Sequence, residues 1–189
     1  RADLEYLVLN PRWVVPPTIL REDVLPKVAA NPEYLTAHNM QVVDRGGQPV
    51  APGSIDWSHA RSGGFPYQIV QVPGPDNPLG QIKFMLPNPY SIYLHDTPSR
   101  RLFQRTQRAE SSGCVRLEKP QELAVLLLDD PERWSLDAIR VELASTRTRT
   151  VFVKHQVPVL VLYFTAEADG SGHVGFRPDL YGRDPEVLA

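Results

Sequence analysis

The chain has 189 residues, of which 42% are hydrophobic and 22% charged, and its formal net charge is −2. These values are typical of one globular domain, or of one domain with a large insertion, and the balanced charge gives no reason to expect nucleic acid or an anionic membrane as a partner. No apolar run approaches the roughly 18 residues that a membrane-spanning helix needs.

The first half of the chain is predicted to consist of short elements separated by proline-rich turns, since 14 of the 19 prolines lie between Pro11 and Pro98. Residues 4–9 (LEYLVL) predict a strand. Two short helices are predicted over residues 18–39, with Thr18 and Asn31 as N-caps and Pro32 at a first helical position. Residues 44–66 are typical of an irregular loop.

The second half is more regular. Strands are predicted at residues 67–72, 81–86 and 91–96. Helices are predicted at 119–130 and, with Ser135 as N-cap, at 136–145. Two strands, 150–156 and 158–168, and a hairpin turn at 169–172 leading into 173–178 complete the chain. Many short strands with a few helices indicate an α+β or mostly β fold rather than a doubly wound sheet.

One thiol stands out. Cys114, the only cysteine in the chain, lies in the stretch SSGCVR at residues 111–116, 19 positions after His95. A nearby imidazole and cationic surroundings activate a thiol as a nucleophile, and Gly113 would let backbone amides approach a reacting carbonyl. The alternative interpretations remain open on the residues alone: a lone Cys is often an inert small hydrophobic residue, and a lone His is often a surface residue.

Metal chemistry is not expected from the sequence. A cysteine-based zinc site needs two or more thiolates at short spacing, and the remaining histidines form no ligand cluster and no HExxH pattern. Those histidines are His38, His59, His155 and His173.

Residues 92–123, IYLHDTPSRRLFQRTQRAESSGCVRLEKPQEL, resemble the active-site signature of the L,D-transpeptidases, the YkuD-like family. That signature is a His followed, after a spacer, by a Ser/Thr-x-Gly-Cys block with Arg or Asn two positions after the Cys. Ser112 stands where many members have a His, which is similar to the YcbB-type subgroup of Gram-negative envelope enzymes. The proline-rich segment up to Gly80 resembles that subgroup's capping insertion over the catalytic groove.

The resemblance implies an α+β, mostly β fold, in which a β-rich sandwich or partly open barrel carries the nucleophile on a loop at the mouth of a groove. It implies a single catalytic domain over residues 1–189, with a helical, proline-rich capping subdomain over about residues 11–80. Family members open with strands that lead into a Thr-Pro turn, and this chain begins after the point where those strands would lie. The expectation is therefore a catalytic domain without its N-terminal strands.

The resemblance also implies a reaction. Cys114 would attack the carbonyl of diaminopimelate, the third residue of a peptidoglycan stem tetrapeptide, and release the terminal D-Ala. His95 would be the base or the imidazolium partner, with its other ring nitrogen held by the backbone carbonyl of Asp96. The backbone N–H groups of Ser112, Gly113 and Cys114 would form the oxyanion hole. The side-chain amine of a second diaminopimelate would then resolve the acyl-enzyme into a 3→3 crosslink.

Four further residues are expected on the substrate side. Arg116 would orient the cysteine block or meet a substrate carboxylate. Tyr93 shares a strand face with His95 and would line the groove. Trp13 would either cover the acyl site or anchor the core of the cap. Asp96 is also expected to bind substrate.

Three other functions are weighed against transpeptidation. In an L,D-carboxypeptidase water would replace the acceptor amine, and sequence hardly separates the two because groove shape selects the acceptor. A non-catalytic wall-binding module would not need Cys114, His95 and Arg116 together. An unrelated cytosolic cysteine hydrolase is disfavoured by the length of the similarity.

The expected partners and location follow from the same resemblance. The substrates would be peptidoglycan stem peptides, carbapenem β-lactams would be covalent inhibitors, and neither a cofactor nor nucleic acid is expected. The location would be the periplasm or cell envelope of a Gram-negative bacterium. The oligomeric state is left open.

Overall fold

The computed structural model describes residues 1–57, 60, 64–109 and 113–187. The chain divides into two compact units, one formed by residues 2–158 and the other by residues 159–189 together with Arg1. Within the described ranges, every helix is too short or too polar to cross a bilayer.

The strands of the described residues are numbered in chain order: β1 (Ala2–Leu9), β2 (Trp13–Val14), β3 (Met40–Val43), β4 (Pro49–Val50), β5 (Gln68–Gln71), β6 (Ile82–Met85), β7 (Leu94–His95), β8 (Val115–Arg116), β9 (Arg149–Val159), β10 (Ala166–Ala168) and β11 (Val174–Phe176). The α-helices are α1 (Pro17–Ile19), α2 (Leu25–Ala30), α3 (Glu33–Ala37), α4 (Pro120–Leu128), α5 (Leu136–Ala144) and α6 (Asp184–Val187). Short 3-10 helices cover Pro52–Ser54 and Arg100–Gln104.

A five-stranded sheet in the order β8-β7-β6-β1-β9 forms the centre of the 2–158 unit. The pairs β1–β6 and β6–β7 are antiparallel, and β7–β8 is parallel. Alternate side chains of β1 and β6 make the sheet's apolar core, since Leu7, Leu9, Ile82 and Phe84 are each 0% exposed. Helices α4 and α5 pack against each other, and Glu142 of α5 forms an ion pair with Arg149 of β9.

A second, four-stranded sheet in the order β2-β5-β3-β4 belongs to the proline-rich part of the chain. A hydrophobic cluster lies against it, built from Val15, Val24, Leu25, Val28, Leu35, Val42, Ala60 and Ile69. Helices α1 and α2 are joined by a π-helical segment, Leu20–Val24. The segment ends just before Pro26, whose missing N–H cannot bond to the carbonyl of Glu22, and this locally disrupts the α-helical ladder.

The four-stranded sheet is joined to the five-stranded sheet through Asn77, which is 0% exposed. Its Nδ2 donates to the carbonyl of Pro11 at 3.0 Å, and its Oδ1 accepts from the N–H of Leu79 at 2.9 Å. Nearby, the N–H of Asn10 donates to the carbonyl of Gln81 at 2.8 Å. The chain therefore leaves and re-enters the five-stranded sheet at neighbouring points.

The 159–189 unit contains the antiparallel hairpin β10–β11 and the short helix α6. Asp169 closes the hairpin turn by accepting from the N–H groups of Ser171 and His173. Gly172 has φ of +84°, a conformation that suits glycine. The turn predicted at 169–172 is therefore confirmed.

Several sequence predictions are confirmed and others are wrong, among them that for Pro32, which is the N-cap of α3 and not its first helical residue. The α+β class, β1, β5, β6 and the Ser135 cap, whose Oγ accepts from Ala138 N–H at 3.2 Å, are all present. Helix α1 begins at Pro17, so Thr18 lies in its first turn and is not the cap. The strand predicted at 91–96 shortens to Leu94–His95. Residues 160–165 form no strand, because an apolar pattern alone does not supply a pairing partner.

Candidate active site

Strand pairing brings five reactive or charged side chains to one face of the five-stranded sheet. Lys83 on β6 stands opposite His95 on β7, and His95 stands beside Arg116 on β8. Tyr93 and Cys114 directly precede these two strands, and the ring contact of Tyr93 with His95 and its interaction with Cys114 place both beside the same group. The arrangement gathers a thiol, an imidazole, a phenol and two cations.

His95 is buried, with 6% of its surface exposed. Its ring Nδ1 lies within hydrogen-bond distance of the carbonyl oxygen of Asp96, the contact expected from the resemblance. A carbonyl oxygen can only accept, so Nδ1 must carry the hydrogen. In the neutral imidazole the lone pair is then on Nε2, which is the nitrogen able to take a proton.

Burial lowers the pKa of His95 below its usual value, and the nearby positive charges of Arg116 and Lys83 lower it further. The hydrogen bond to the Asp96 carbonyl and the Asp96 charge oppose this effect without reversing it. The ordinary pKa of a histidine is already about 6.5, so the neutral form predominates at pH 7. The environment thus favours a base over a resting imidazolium.

Cys114 is partly buried and immediately precedes β8. Its Sγ lies 3.9 Å from the carbonyl oxygen of Ser91, which can accept its S–H. Asn88 shapes that loop, because its Oδ1 accepts from the N–H of Tyr90 at 3.0 Å and its Nδ2 donates to the carbonyl of Ile92 at 2.6 Å. Gly113 has φ of +133°, which L side chains rarely adopt, so the turn into the cysteine requires glycine.

Tyr93 links the thiol to the imidazole. Its ring centroid lies 5.8 Å from that of His95, and its hydroxyl is hydrogen bonded with the Cys114 side chain. Burial, followed by the charge of Cys114 and this hydrogen bond, raises the pKa of Tyr93 to about 12. The phenol therefore stays protonated at neutral pH and can donate to sulfur.

Lys83 is a site residue that the sequence analysis missed. Its Nζ lies 3.9 Å from the centroid of the Tyr93 ring, a cation–π geometry, and it interacts electrostatically with Cys114. Burial lowers the pKa of Lys83. The signal that could have found it is the stretch QIKFML, in which a lysine alternates with Ile82 and Phe84 inside a predicted strand.

The other expected site residues do not all lie next to Cys114. Gly113 and Arg116 flank Cys114, whereas Ser112, expected to contribute an oxyanion-hole N–H, lies outside the described residues. Trp13 lies in β2 of the four-stranded sheet and packs against its hydrophobic cluster. This packing is what the core-anchor interpretation of Trp13 requires.

The carboxylate of Asp96 is turned into the protein, and the residue is only 4% exposed. Its Oδ2 accepts from the N–H of Gln81 at 2.8 Å, and its Oδ1 accepts from the N–H of Thr97 at 2.7 Å and from Arg100 Nη2 at 2.5 Å. These donors, rather than solvent, surround the carboxylate.

The described ranges contain no group of three or more His, Cys, Asp or Glu side chains that could hold a metal ion. The chemistry that this face can perform with its own residues is nucleophilic attack by a thiol, with a neutral imidazole to accept its proton.

Comparison with known proteins gives two matches. A family model described as "L,D-transpeptidase catalytic domain" (YkuD) matches residues 2–158, which include the five-stranded sheet with Cys114 and His95. A protein of Haemophilus influenzae named "Putative L,D-transpeptidase" is 42% identical over 186 residues, which are 98% of this chain and 37% of that relative. The chain thus spans well under half the length of this curated relative.

Proposed function

The chain belongs to the YkuD family of L,D-transpeptidase catalytic domains, and we propose that it crosslinks peptidoglycan stem peptides through a cysteine acyl-enzyme. The observation that carries the proposal is that Cys114 directly precedes β8, which pairs with the His95 strand β7, and that His95 Nδ1 is hydrogen bonded to the Asp96 carbonyl. That hydrogen bond leaves Nε2 as the nitrogen able to receive the thiol proton.

In the first step the donor is a stem tetrapeptide ending in D-Ala. His95 Nε2 takes the proton of Cys114, and the sulfur attacks the carbonyl carbon of diaminopimelate. Backbone N–H groups of Ser112, Gly113 and Cys114 stabilise the oxyanion. The carbon–nitrogen bond to D-Ala breaks, its nitrogen takes the proton from the imidazolium, and a thioester remains on Cys114.

In the second step the side-chain amine of diaminopimelate on another stem attacks the thioester. His95 accepts a proton from that amine, the carbon–sulfur bond breaks, and the imidazolium returns the proton to sulfur, which restores the thiol of Cys114. The product is a 3→3 crosslink. A neutral imidazole suits both steps, since each step begins with proton removal from a nucleophile.

The charged and phenolic neighbours support the proposal because they complement an anionic substrate and an anionic sulfur. Stem peptides carry carboxylates, and Lys83 and Arg116 are cations on the same face as the nucleophile. The protonated Tyr93 hydroxyl is a donor beside sulfur. These three side chains would favour the carboxylate-bearing donor over a neutral peptide.

The enzyme acts in the periplasm or cell envelope of a Gram-negative bacterium, where stem peptides are found. Residues 11–80, with the four-stranded sheet, cap the groove and select the substrate. Carbapenems acylate Cys114, since their strained carbonyl presents the same kind of electrophile as the stem peptide.

The test is incubation of the chain with a disaccharide-tetrapeptide, followed by mass analysis of the products. A dimer lacking one D-Ala is the result expected for transpeptidation. Tripeptide alone would show that water resolves the acyl-enzyme, which is the carboxypeptidase reaction. Products formed equally by a Cys114→Ala variant would exclude the cysteine mechanism.

A further inference from the structure

One side chain outside the reactive group connects the two strand ends that carry it. Arg100 lies at the start of a 3-10 helix, between the His95 and Cys114 segments of the sequence. Its Nη2 donates to Asp96 Oδ1 at 2.5 Å, and its Nη1 donates to the carbonyl of Glu118 at 2.5 Å. Asp96 directly follows His95, and Glu118 lies four residues after Cys114.

We propose that Arg100 is a positioning residue that clamps the ends of β7 and β8 together and, through Asp96, holds the His95 ring in register with Cys114. The inference rests on the proposed function, because it concerns the same pair of reacting groups. Arg100 itself is expected to touch neither substrate nor sulfur.

The Asp96 peptide is fixed on both sides, which gives the clamp its effect. Its carboxylate accepts from the backbone N–H of Gln81 and of Thr97, and its own N–H donates to the carbonyl of Ile82 at 2.8 Å. The carbonyl of the same residue accepts the Nδ1–H of His95. Because Arg100 is hydrogen bonded to the Asp96 carboxylate, it helps to fix the position of the Asp96 carbonyl. That carbonyl in turn fixes the imidazole of His95.

The second arm of the guanidinium reaches the strand of the nucleophile. The N–H of Leu117 donates to the carbonyl of His95 at 2.8 Å, so β7 and β8 are already joined just before Glu118. The planar fork of an arginine can hold a carboxylate and a carbonyl at once in a fixed geometry, which a lysine ammonium on a flexible stem cannot reproduce.

The exposure of the Arg100 side chain indicates that the clamp affects the position of the His95 ring more than the free energy of unfolding. The Arg100 side chain is 47% exposed and that of Asp96 is 6% exposed. The guanidinium is largely solvated, so its loss costs little free energy of unfolding. The buried Asp96 carboxylate keeps its hydrogen bonds from the N–H groups of Gln81 and Thr97. Removal of the guanidinium should consequently leave the fold in place and loosen the position of the Asp96 peptide.

The experiment compares Arg100→Met and Arg100→Lys with Arg101→Met, a matched control at an exposed arginine in the same 3-10 helix. Three properties are measured in each: kcat and KM with disaccharide-tetrapeptide, the Nδ1–H proton resonance of His95 by NMR, and Tm. The resonance reports the hydrogen bond to the Asp96 carbonyl and does not need turnover, so the clamp can be tested even if transpeptidation is absent.

The clamp predicts that Arg100→Met lowers kcat about tenfold, since a displaced catalytic group costs at least that much. It also predicts an unchanged KM, a broadened or lost His95 resonance, and a Tm close to that of Arg101→Met. Arg100→Lys should be intermediate in both kcat and the resonance.

Three results would overturn the clamp. An unchanged His95 resonance in Arg100→Met would show that the ring is held without Arg100. A raised KM at constant kcat would make Arg100 a substrate contact. Loss of the folded NMR spectrum in both Arg100 variants would make the residue structural.

Discussion

The two sheets of the 2–158 unit differ in what their strands carry. The five-stranded sheet presents Lys83, His95 and Arg116 from three adjacent strands, all on one face. The four-stranded sheet directs Val42 and Ile69 into an apolar cluster of its own. A charged group within a sheet lowers the free energy of unfolding unless it is paired, so such groups indicate a functional role. An apolar cluster stabilises the fold by burial alone.

This difference indicates that the two sheets have separable roles, one in the reaction and the other in covering the groove. Changes on the five-stranded sheet should alter the reaction itself. Changes confined to the four-stranded sheet should alter substrate use or stability and leave the reactivity of the thiol intact.

Replacement of Cys114 by Ala should abolish crosslinking and acyl-enzyme formation, because the chain has no other thiol. The fold should persist, since Cys114 is only partly buried and Ala is smaller. Product analysis by mass and a circular dichroism melt check the two parts. Crosslinking above background in the folded variant would remove Cys114 from the mechanism.

Removal of the four-stranded sheet should lower turnover of the tetrapeptide about tenfold or more, as expected when groups that bind remote parts of a substrate are lost. Residues 12–76 can be replaced by a short Gly-Ser linker, because Asn77 Nδ2 lies 3.0 Å from the Pro11 carbonyl. A shorter deletion of 20–60 would instead remove β3 from the interior of its sheet.

The matched readout for this excision is the rate at which iodoacetamide alkylates Cys114. The division between the sheets predicts an alkylation rate that does not fall, alongside the lost turnover, since removal of a cap can only increase access to the thiol. Normal turnover by the excised chain would mean that residues 11–80 do not cap the groove. A lowered alkylation rate in a folded protein would mean that the two sheets are not separable.

Gly80→Ala should destabilise the chain by about 1–3 kcal/mol, the usual cost of overpacking. Gly80 has φ of +60°, and an added Cβ would collide with the Cβ, Cγ and Oδ2 atoms of Asp96. The Asp96 carbonyl holds the His95 ring, so a collision that displaces Asp96 should also lower turnover.

Gly47→Ala is the control for this change. Gly47 has φ of +79° but nothing within 4 Å of an added Cβ, and it lies in the four-stranded sheet's β3–β4 turn. It should show only the conformational cost of a positive φ and no loss of turnover. Equal effects of the two substitutions on unfolding free energy and turnover would refute the collision with Asp96.

Lys83→Met should shift the acid limb of the kcat/KM profile to higher pH. The proposed mechanism needs neutral His95, whose pKa is lowered by burial and by the nearby charges of Arg116 and Lys83. Removing one cation raises that pKa, so protonation inactivates the enzyme sooner as pH falls. Lys154→Met, at an exposed lysine on β9, is the control, and an identical acid limb in both variants would contradict the prediction.

The sequence predicted the elements that are determined by a few neighbouring residues. The apolar-rich LEYLVL run predicted β1, and Ser135 predicted the start of α5 because a capping hydroxyl acts within one turn. The resemblance supplied Cys114, His95 and the Asp96 carbonyl, since those residues stand in one contiguous signature. The apolar residues 160–165 were misassigned because strand pairing depends on a partner elsewhere in the chain.

What the sequence could not provide is register. Lys83 becomes a neighbour of His95 only because β6 and β7 pair antiparallel at that position, and a shift by one residue would turn it to the other face. Arg100 stands in a run of arginines typical of a solvated surface. Its two contacts, with Asp96 and with the Glu118 carbonyl, depend on three-dimensional placement alone.

The most direct test of the central claim is the intact mass of the protein after timed exposure to a carbapenem, measured across pH for the wild type and His95→Gln. The account predicts a single adduct on Cys114, formed more slowly at acid pH as His95 becomes protonated. It predicts formation at least about tenfold slower in His95→Gln, or roughly 1.4 kcal/mol of added barrier. An adduct on any residue other than Cys114, or one that forms equally fast in the variant, would contradict the pairing of Cys114 with His95.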